Sequence, residues 1–380
     1  MKHHDITLAQ KEEIVKILRK VTEIEEKHIQ FEAIRHGSLM RNNVWKIYVA
    51  DGKKYIVKQF VVPLSKQYTL KSPEVRYSQL DVELNILKLL RREGCPVPDV
   101  ITSDESTQVI VLEWCGDITW DDLCQDKTIL DKKRYTQLAI EGFCHIEHFF
   151  SENISLVEPY VYPLDYQSHL HQIAEKLLTS ARHCISDLAW IRDEPLTESE
   201  TKIIDESWDE ITHCILNRQP SLGSLDYNAR NIILDQNRLS FIDFSVIGWD
   251  WSERRLMQYL TGLGAHTERG NFVTLLDAEH TKLYAETMSR MDVTLIGQLM
   301  VLVDYHHILF YLTAIIKLLG ILKNPESRQN ILLSQAWGAV EPRMERALSE
   351  IAFGSLSNDE AAMSIRKLFL TFMDKIGSLA

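Results

Sequence analysis

The segment from Gly223 to Ser245 constrains this chain more than any other. It runs Gly-Ser-Leu-Asp-Tyr-Asn-Ala-Arg-Asn, then Ile232-Ile233-Leu234, a polar cluster from Asp235 to Arg238, a second apolar run from Leu239 to Ile242, and Asp243-Phe244-Ser245. Two short apolar runs around turn-forming residues predict a β-hairpin. If Leu234 pairs with Leu239, Asn231 falls opposite Ile242 and one residue from Asp243. Cross-strand neighbours stand about 5 Å apart, so the Asn231 amide and the Asp243 carboxylate converge at the open end of the hairpin. Two hard oxygen ligands so placed suit Mg²⁺ held jointly with nucleotide phosphates. Asp226, in the loop feeding the hairpin, can approach from the other side and orient an attacking hydroxyl or accept its proton. The spacing is not decisive alone, because Asp and Asn are common turn residues and Asp-x₄-Asn arises by chance about once in a chain of this composition. The hairpin with an aspartate at its exit sets it apart from a turn.

Upstream, Val44 to Ala50 and Lys54 to Phe60 read as strands joined at Asp51-Gly52, a strong hairpin signal. On the second strand Ile56, Lys58 and Phe60 share a face. Lys58 is then either a solvated strand lysine or a cation for phosphates, with Ile56 as the roof over a base. Glu83 decides between them. Residues 72 to 92 read as a helix with Ser72 as cap and Pro73 at its first position. Glu83 there lies among Leu80, Ile86, Leu87 and Leu90, on the apolar stripe. A buried carboxylate is costly unless paired, and Lys58 is the natural partner. Gln108 to Trp114 is a further apolar strand, and residues 8 to 28 read as an amphipathic helix. After Gly116 most of 120 to 217 and 251 to 380 has helical periodicity. The outline is α+β: a small β-rich lobe over residues 1–113, a connector near 113 to 118, and a large helical lobe over 114–380.

The 380 residues are too many for one simple core. Lys and Arg number 42 against 54 Asp and Glu, a net charge of −12, which argues against nucleic acid as a partner. The six cysteines form no CxxC and read as free thiols of a reducing compartment. The N-terminus shows no apolar secretory core, and Ile308 to Leu322, interrupted by Lys317, reads as a buried helix and not a membrane span. The expectation is a cytoplasmic protein with no membrane insertion; its oligomeric state is not readable. His145 and His148, beside Cys144, lack a further ligand and read as packing residues. Asp304 and Tyr305, with His306 and His307, head an apolar helix. They are candidates for an acceptor pocket, and helix packing is the competing explanation.

Taken together, Lys58, Glu83, Asp226, Asn231 and Asp243 resemble the aminoglycoside phosphotransferase and choline kinase family. That family carries His-Gly-Asp-x₄-Asn followed by Ile-Asp-[Phe/Trp], and Glu83 followed by Gly94-Cys-Pro-Val-Pro98 is similar to its Glu-x₁₀-Gly-x-Pro-Val-Pro stretch. The resemblance covers about residues 30 to 255. It implies a bilobal protein-kinase-like fold that uses ATP, or GTP, and Mg²⁺ to phosphorylate a hydroxyl of a small molecule such as an antibiotic, sugar or amino alcohol. It implies Asp226 as the catalytic aspartate, Asn231 and Asp243 as metal ligands, and Lys58, set by Glu83, on the phosphates. Glu113, Trp114 and Cys115 fall where the interlobe hinge offers backbone groups to adenine. Gly37-Ser38 and Asn42 to Ile47 resemble the nucleotide-covering loop, and Gly248 matches a glycine common after the second metal aspartate. Two departures stand out. Ser224-Leu225 replaces the His-Gly pair, which keeps alive a pseudokinase with little or no transfer. Arg255 stands where the family often has a structural aspartate, so that helix start must be held differently. A protein kinase is disfavoured by the lack of an Ala-Pro-Glu-like segment after Asp243.

Overall fold

The computed structural model describes residues 8–19, 29–34, 42–49, 52–61, 77–129, 131–161, 166–191, 195–236, 238–290 and 295–376. Helix α1 (Leu8–Leu18) is followed by β1 (Ile29–Ala33), β2 (Asn42–Val49), β3 (Lys54–Phe60), α2 (Gln79–Arg92), β4 (Val100–Asp104) and β5 (Val109–Glu113). The strands form one antiparallel sheet in the order β1-β2-β3-β5-β4. Strand alternation divides its side chains between two cores. Trp45, Ile47, Tyr55 and Val57 pack with Ile14 and Ile17 of α1. Phe60, Ile110 and Leu112 pack with Leu80, Ile86 and Leu87 of α2. The helix starts later than expected. Its cap is Ser78, not Ser72, because Ser78 and Asp81 form a reciprocal capping box that satisfies two otherwise orphaned backbone N–H groups. Ser72, Pro73, Gly37, Ser38 and Asp51 lie outside the described residues.

Below the sheet, β6 (Ile118–Thr119) leads into α3 (Trp120–Gln125), α4 (Lys132–Glu152), α5 (Tyr166–Ile191) and α6 (Glu198–Asn217). Then come β7 (Ser221–Ser224), β8 (Ile232–Asp235), β9 (Arg238–Phe241), β10 (Ile247–Asp250) and α7 (Ser252–Leu260). Helices α8 (Ala278–Met288), α9 (Ile296–Lys323), α10 (Arg328–Trp337), α11 (Val340–Phe353) and α12 (Glu360–Ile376) complete the lower lobe. Ile140 and Phe143 of α4 and Phe241 of β9 belong to the same core as α2, so the two lobes share one apolar seam. Helix α9 is long and apolar enough to cross a membrane, with a mean hydropathy of 1.7 over an 18-residue window. Within the protein 72% of that window is buried, and α9 packs against α5, α7 and α11 as a core helix.

Candidate active site

The hairpin forms in the expected register, with Leu234 opposite Leu239, and the backbone of Ile242 donates to the Asn231 carbonyl at 2.9 Å. Asn231 closes a 3₁₀ turn, Ala229–Asn231, capped by the Asn228 side chain. The Asn231 Nδ2 donates to the Asp226 carbonyl at 2.6 Å, which commits the amide's donor end and leaves its oxygen as the acceptor end. The Asp226 carboxylate is exposed at the tip of the loop and accepts from Asn228 Nδ2 at 3.4 Å. Asp243 adopts φ +67°, a left-handed conformation that a non-glycine residue holds only where its surroundings enforce it.

Those surroundings are specific. Lys58 Nζ lies 2.6 Å from Asp243 Oδ1 and 2.6 Å from Glu83 Oε2, and Ser245 Oγ donates to Asp243 Oδ1 at 3.0 Å. The Lys58 and Glu83 side chains are 7% and 1% exposed. Burial lowers the pKa of Lys58, but the charges of Asp243 and Glu83 outweigh it and hold the amine protonated well above its ordinary range. Burial pushes the Glu83 carboxyl up to about 7 against the pull of Lys58, with the negative charges of Asp243 and Asp226 adding to the rise. Ser224, the residue standing for histidine, bridges the two halves of the site. Its hydroxyl donates to the Asp243 carbonyl at 3.3 Å and accepts from the Asp226 N–H at 3.2 Å.

Beneath the loop lies a charged framework. Arg255 is the fourth residue of α7, fully buried, and makes two bonds to Glu147 of α4 at 2.8 and 2.6 Å. Its remaining N–H groups reach the carbonyls of Ser221, Leu222 and Asp250, each at 3.2 Å. Gly223 is required by this approach, since a Cβ there would lie 2.7 Å from the guanidinium carbon. The start of α7 is held by Asp250, which accepts from the Trp251 N–H at 2.8 Å, from Arg254 at 3.1 Å, and from the hydroxyl of Tyr227 beside Asp226.

At the connector, Gly116 has φ +138°, and a Cβ would come within 2.2 Å of the Leu234 carbonyl oxygen, so the chain crosses directly onto the hairpin there. The Glu113 carboxylate accepts from the Asp99 N–H at 3.2 Å, and the Cys115 thiol, pushed up to about 11 by burial, reaches the Glu113 carbonyl at 3.7 Å. Ile56 stands opposite Leu112 on the inward face of the sheet.

Asp304 and Tyr305 do not join this site. Asp304 is fully buried, paired with Arg366 of α12, and accepts from the Ser357 hydroxyl at 2.7 Å. It ties α9 to the start of α12, so its charge is consumed by packing. Tyr305 donates to Asp359 at 2.9 Å and lines a cavity of about 880 Å³ that also reaches Glu147 and Ser221, at the end of β7 remote from Ser224.

The profile of the phosphotransferase enzyme family matches residues 32–274, from β1 through the hairpin and α7. The chain belongs to this phosphotransferase enzyme family. Its fold is similar to a macrolide 2′-phosphotransferase from Brachybacterium faecium, with a TM-score of 0.51 and 10% identity over 85% of this chain and 96% of that one. A choline kinase from Cryptosporidium parvum gives a TM-score of 0.46 and 12% identity over 97% and 96%. No curated protein sequence matches significantly. As a phosphotransferase-family chain it has the bilobal α+β kinase-like architecture, with the lysine, glutamate and aspartates at the junction of the lobes.

Proposed function

We propose that the protein transfers the γ-phosphate of ATP, with Mg²⁺, to a hydroxyl of a small molecule such as an antibiotic, sugar or amino alcohol. Membership of the phosphotransferase family supports the reaction class. The observation that carries the reading is the bond of Lys58 to both Glu83 and Asp243, with Ser224 and Asn231 tying Asp243 and Asp226 into one unit.

The residues fit a divalent cation. Glu83 and Asp243 are bonded to Lys58, and Asp226 is near enough to raise the Glu83 pKa, so three carboxylates gather at this site. Asn231 and Asp243 would hold Mg²⁺ as hard oxygen donors. Among the described residues no three His, Cys, Asp or Glu side chains form a closed metal cage, so phosphate oxygens and water would fill the rest of the shell. When bound, Mg²⁺ would neutralise charge developing on the transferred phosphoryl group. Lys58, held by Glu83, positions the α- and β-phosphates. Ile56 roofs the base, and the backbone of Glu113 to Cys115 reads its edge. Asp226 accepts or orients the acceptor hydroxyl's proton. Against the alternative of a pseudokinase, Ser224 bonds the Asp243 carbonyl and the Asp226 N–H and so ties the loop of Asp226 to Asp243.

The test is a broad acceptor screen scoring ADP release with Mg²⁺·ATP. Acceptor-dependent release that Asp226→Asn abolishes, with ATP affinity nearly kept, supports the reading. Loss of affinity and turnover together would make Asp226 a structural or metal residue.

A further inference from the structure

Among the described residues several ion pairs cross between the lobes, and two of them start from the inward face of the sheet. The inner one is Lys58 with Asp243. The outer one joins Lys46 of β2 to Asp117, just past Gly116. Register places Lys46 opposite Ile56 and Ile56 opposite Leu112, while the next row inward is Val44, Lys58 and Ile110. Alternation therefore puts Lys46, Ile56 and Lys58 on the same inward face, because Trp45 and Ile47 turn into the core under α1.

Lys46 is 7% exposed, unusual for a lysine. Its Nζ sits 3.8 Å from the centroid of the Trp114 ring and 5.0 Å from that of Tyr48. Asp117 belongs to the lower lobe, since its neighbour Ile118 pairs with Leu234 of the hairpin. Its second oxygen lies 3.8 Å from Lys54 of β3, so both strands reach down to one carboxylate. Asp117 is 60% exposed and a solvated ion pair contributes little, but an ammonium shielded by the tryptophan face is a firmer contact.

We propose that Lys46 and Asp117 form a clamp at the outer mouth of the nucleotide cleft, an inference that rests on the nucleotide reading above. The Lys46 stem extends the roof that Ile56 begins, and its ammonium, drawn to Asp117 and resting on Trp114, closes the lobes behind the bound nucleotide. Nucleotide exchange requires this pair to part about Gly116. Lys46 and Asp117 are therefore positioning residues that set the residence time of the nucleotide.

The experiment measures the ATP dissociation rate, with Mg²⁺, by stopped-flow displacement for wild type, Lys46→Met, Asp117→Asn and the double variant. Methionine keeps the apolar stem, and a melting curve for each variant establishes that it is folded. Glu279→Gln, which removes the exposed pair with Lys133, is the control for loss of a charge. Each single variant is expected to release ATP about fivefold faster, the double variant no faster than either, and the control like wild type. Added salt is expected to speed release from wild type and not from Asp117→Asn. Folded single variants releasing ATP at the wild-type rate, or additive effects in the double variant, would overturn the clamp. Wild type failing to bind ATP at all would overturn the nucleotide reading and the clamp with it, a failure visible before any variant is made.

Discussion

Ser224 stands two residues before Asp226 and does with one hydroxyl what the sequence left in doubt. Removing it takes one hydrogen-bond partner from the Asp226 N–H and one from the Asp243 carbonyl. Ser224→Ala is expected to lower kcat roughly tenfold with a smaller effect on the melting temperature, the signature of a misplaced loop in an intact fold; an unchanged kcat would remove Ser224 from the site. Asp243→Ala is expected to abolish the Mg²⁺-dependent part of the thermal stabilisation by ATP, and equal stabilisation of wild type and Asp243→Ala by ATP with Mg²⁺ would sink the metal assignment. Lys58→Ala and Glu83→Ala are expected to be strongly non-additive in kcat/KM, since the two buried side chains are bonded to each other. That pair was readable because a carboxylate on an apolar stripe demands a partner. Glu147 carries the same sign, lying among Phe143, Cys144 and Phe150 on α4, but its partner Arg255 stands 108 residues further along the chain, where the sequence marks it only as a departure from the family pattern. Asp304 admitted two readings, pocket or packing, and its partner is Arg366. Residue type and position on a helix do not reveal whether a carboxylate lines a pocket or is consumed by a buried arginine.

At the scale of elements, β7 carries the loop, and what aims β7 is the arginine beneath it. Glu147→Gln leaves Arg255 without its counter-charge and is expected to cost about 3–5 kcal/mol of unfolding free energy, measured by urea denaturation. Gly223→Ala is expected to lower both stability and turnover, because the added methyl meets the guanidinium. Hairpin register was legible because two apolar runs around a polar turn admit few pairings. The start of α2 was not, since Ser72-Pro73 and Ser78 with Asp81 are both valid start signals, and the second also satisfies its own backbone.

Over the whole molecule, the division into a sheet lobe and a helical lobe followed from the change of periodicity after Gly116, whereas the packing of the helices did not, because α9 is apolar on nearly every side. That helix brings a pH dependence with it. Burial lowers the pKa of His306 from 6.5 to about 4. The unfolded chain therefore binds a proton that the folded chain refuses between those values, so this contribution to stability is present above about pH 6.5 and is lost as pH falls toward 4. His306 alone contributes a loss of roughly 2 kcal/mol between pH 7 and pH 5, read by urea denaturation at both as the difference between wild type and His306→Phe, in which the opposite contribution of Glu83 cancels. The framework under the catalytic loop also bears on synthesis of the chain. Asp226 and Asn231 leave the ribosome before Arg255, the residue that seats their strand against a helix made about a hundred residues earlier. A nascent chain paused between them carries Glu147 without its cation and the loop without the arginine that seats its strand, so the loop can be seated only after Arg255 has emerged.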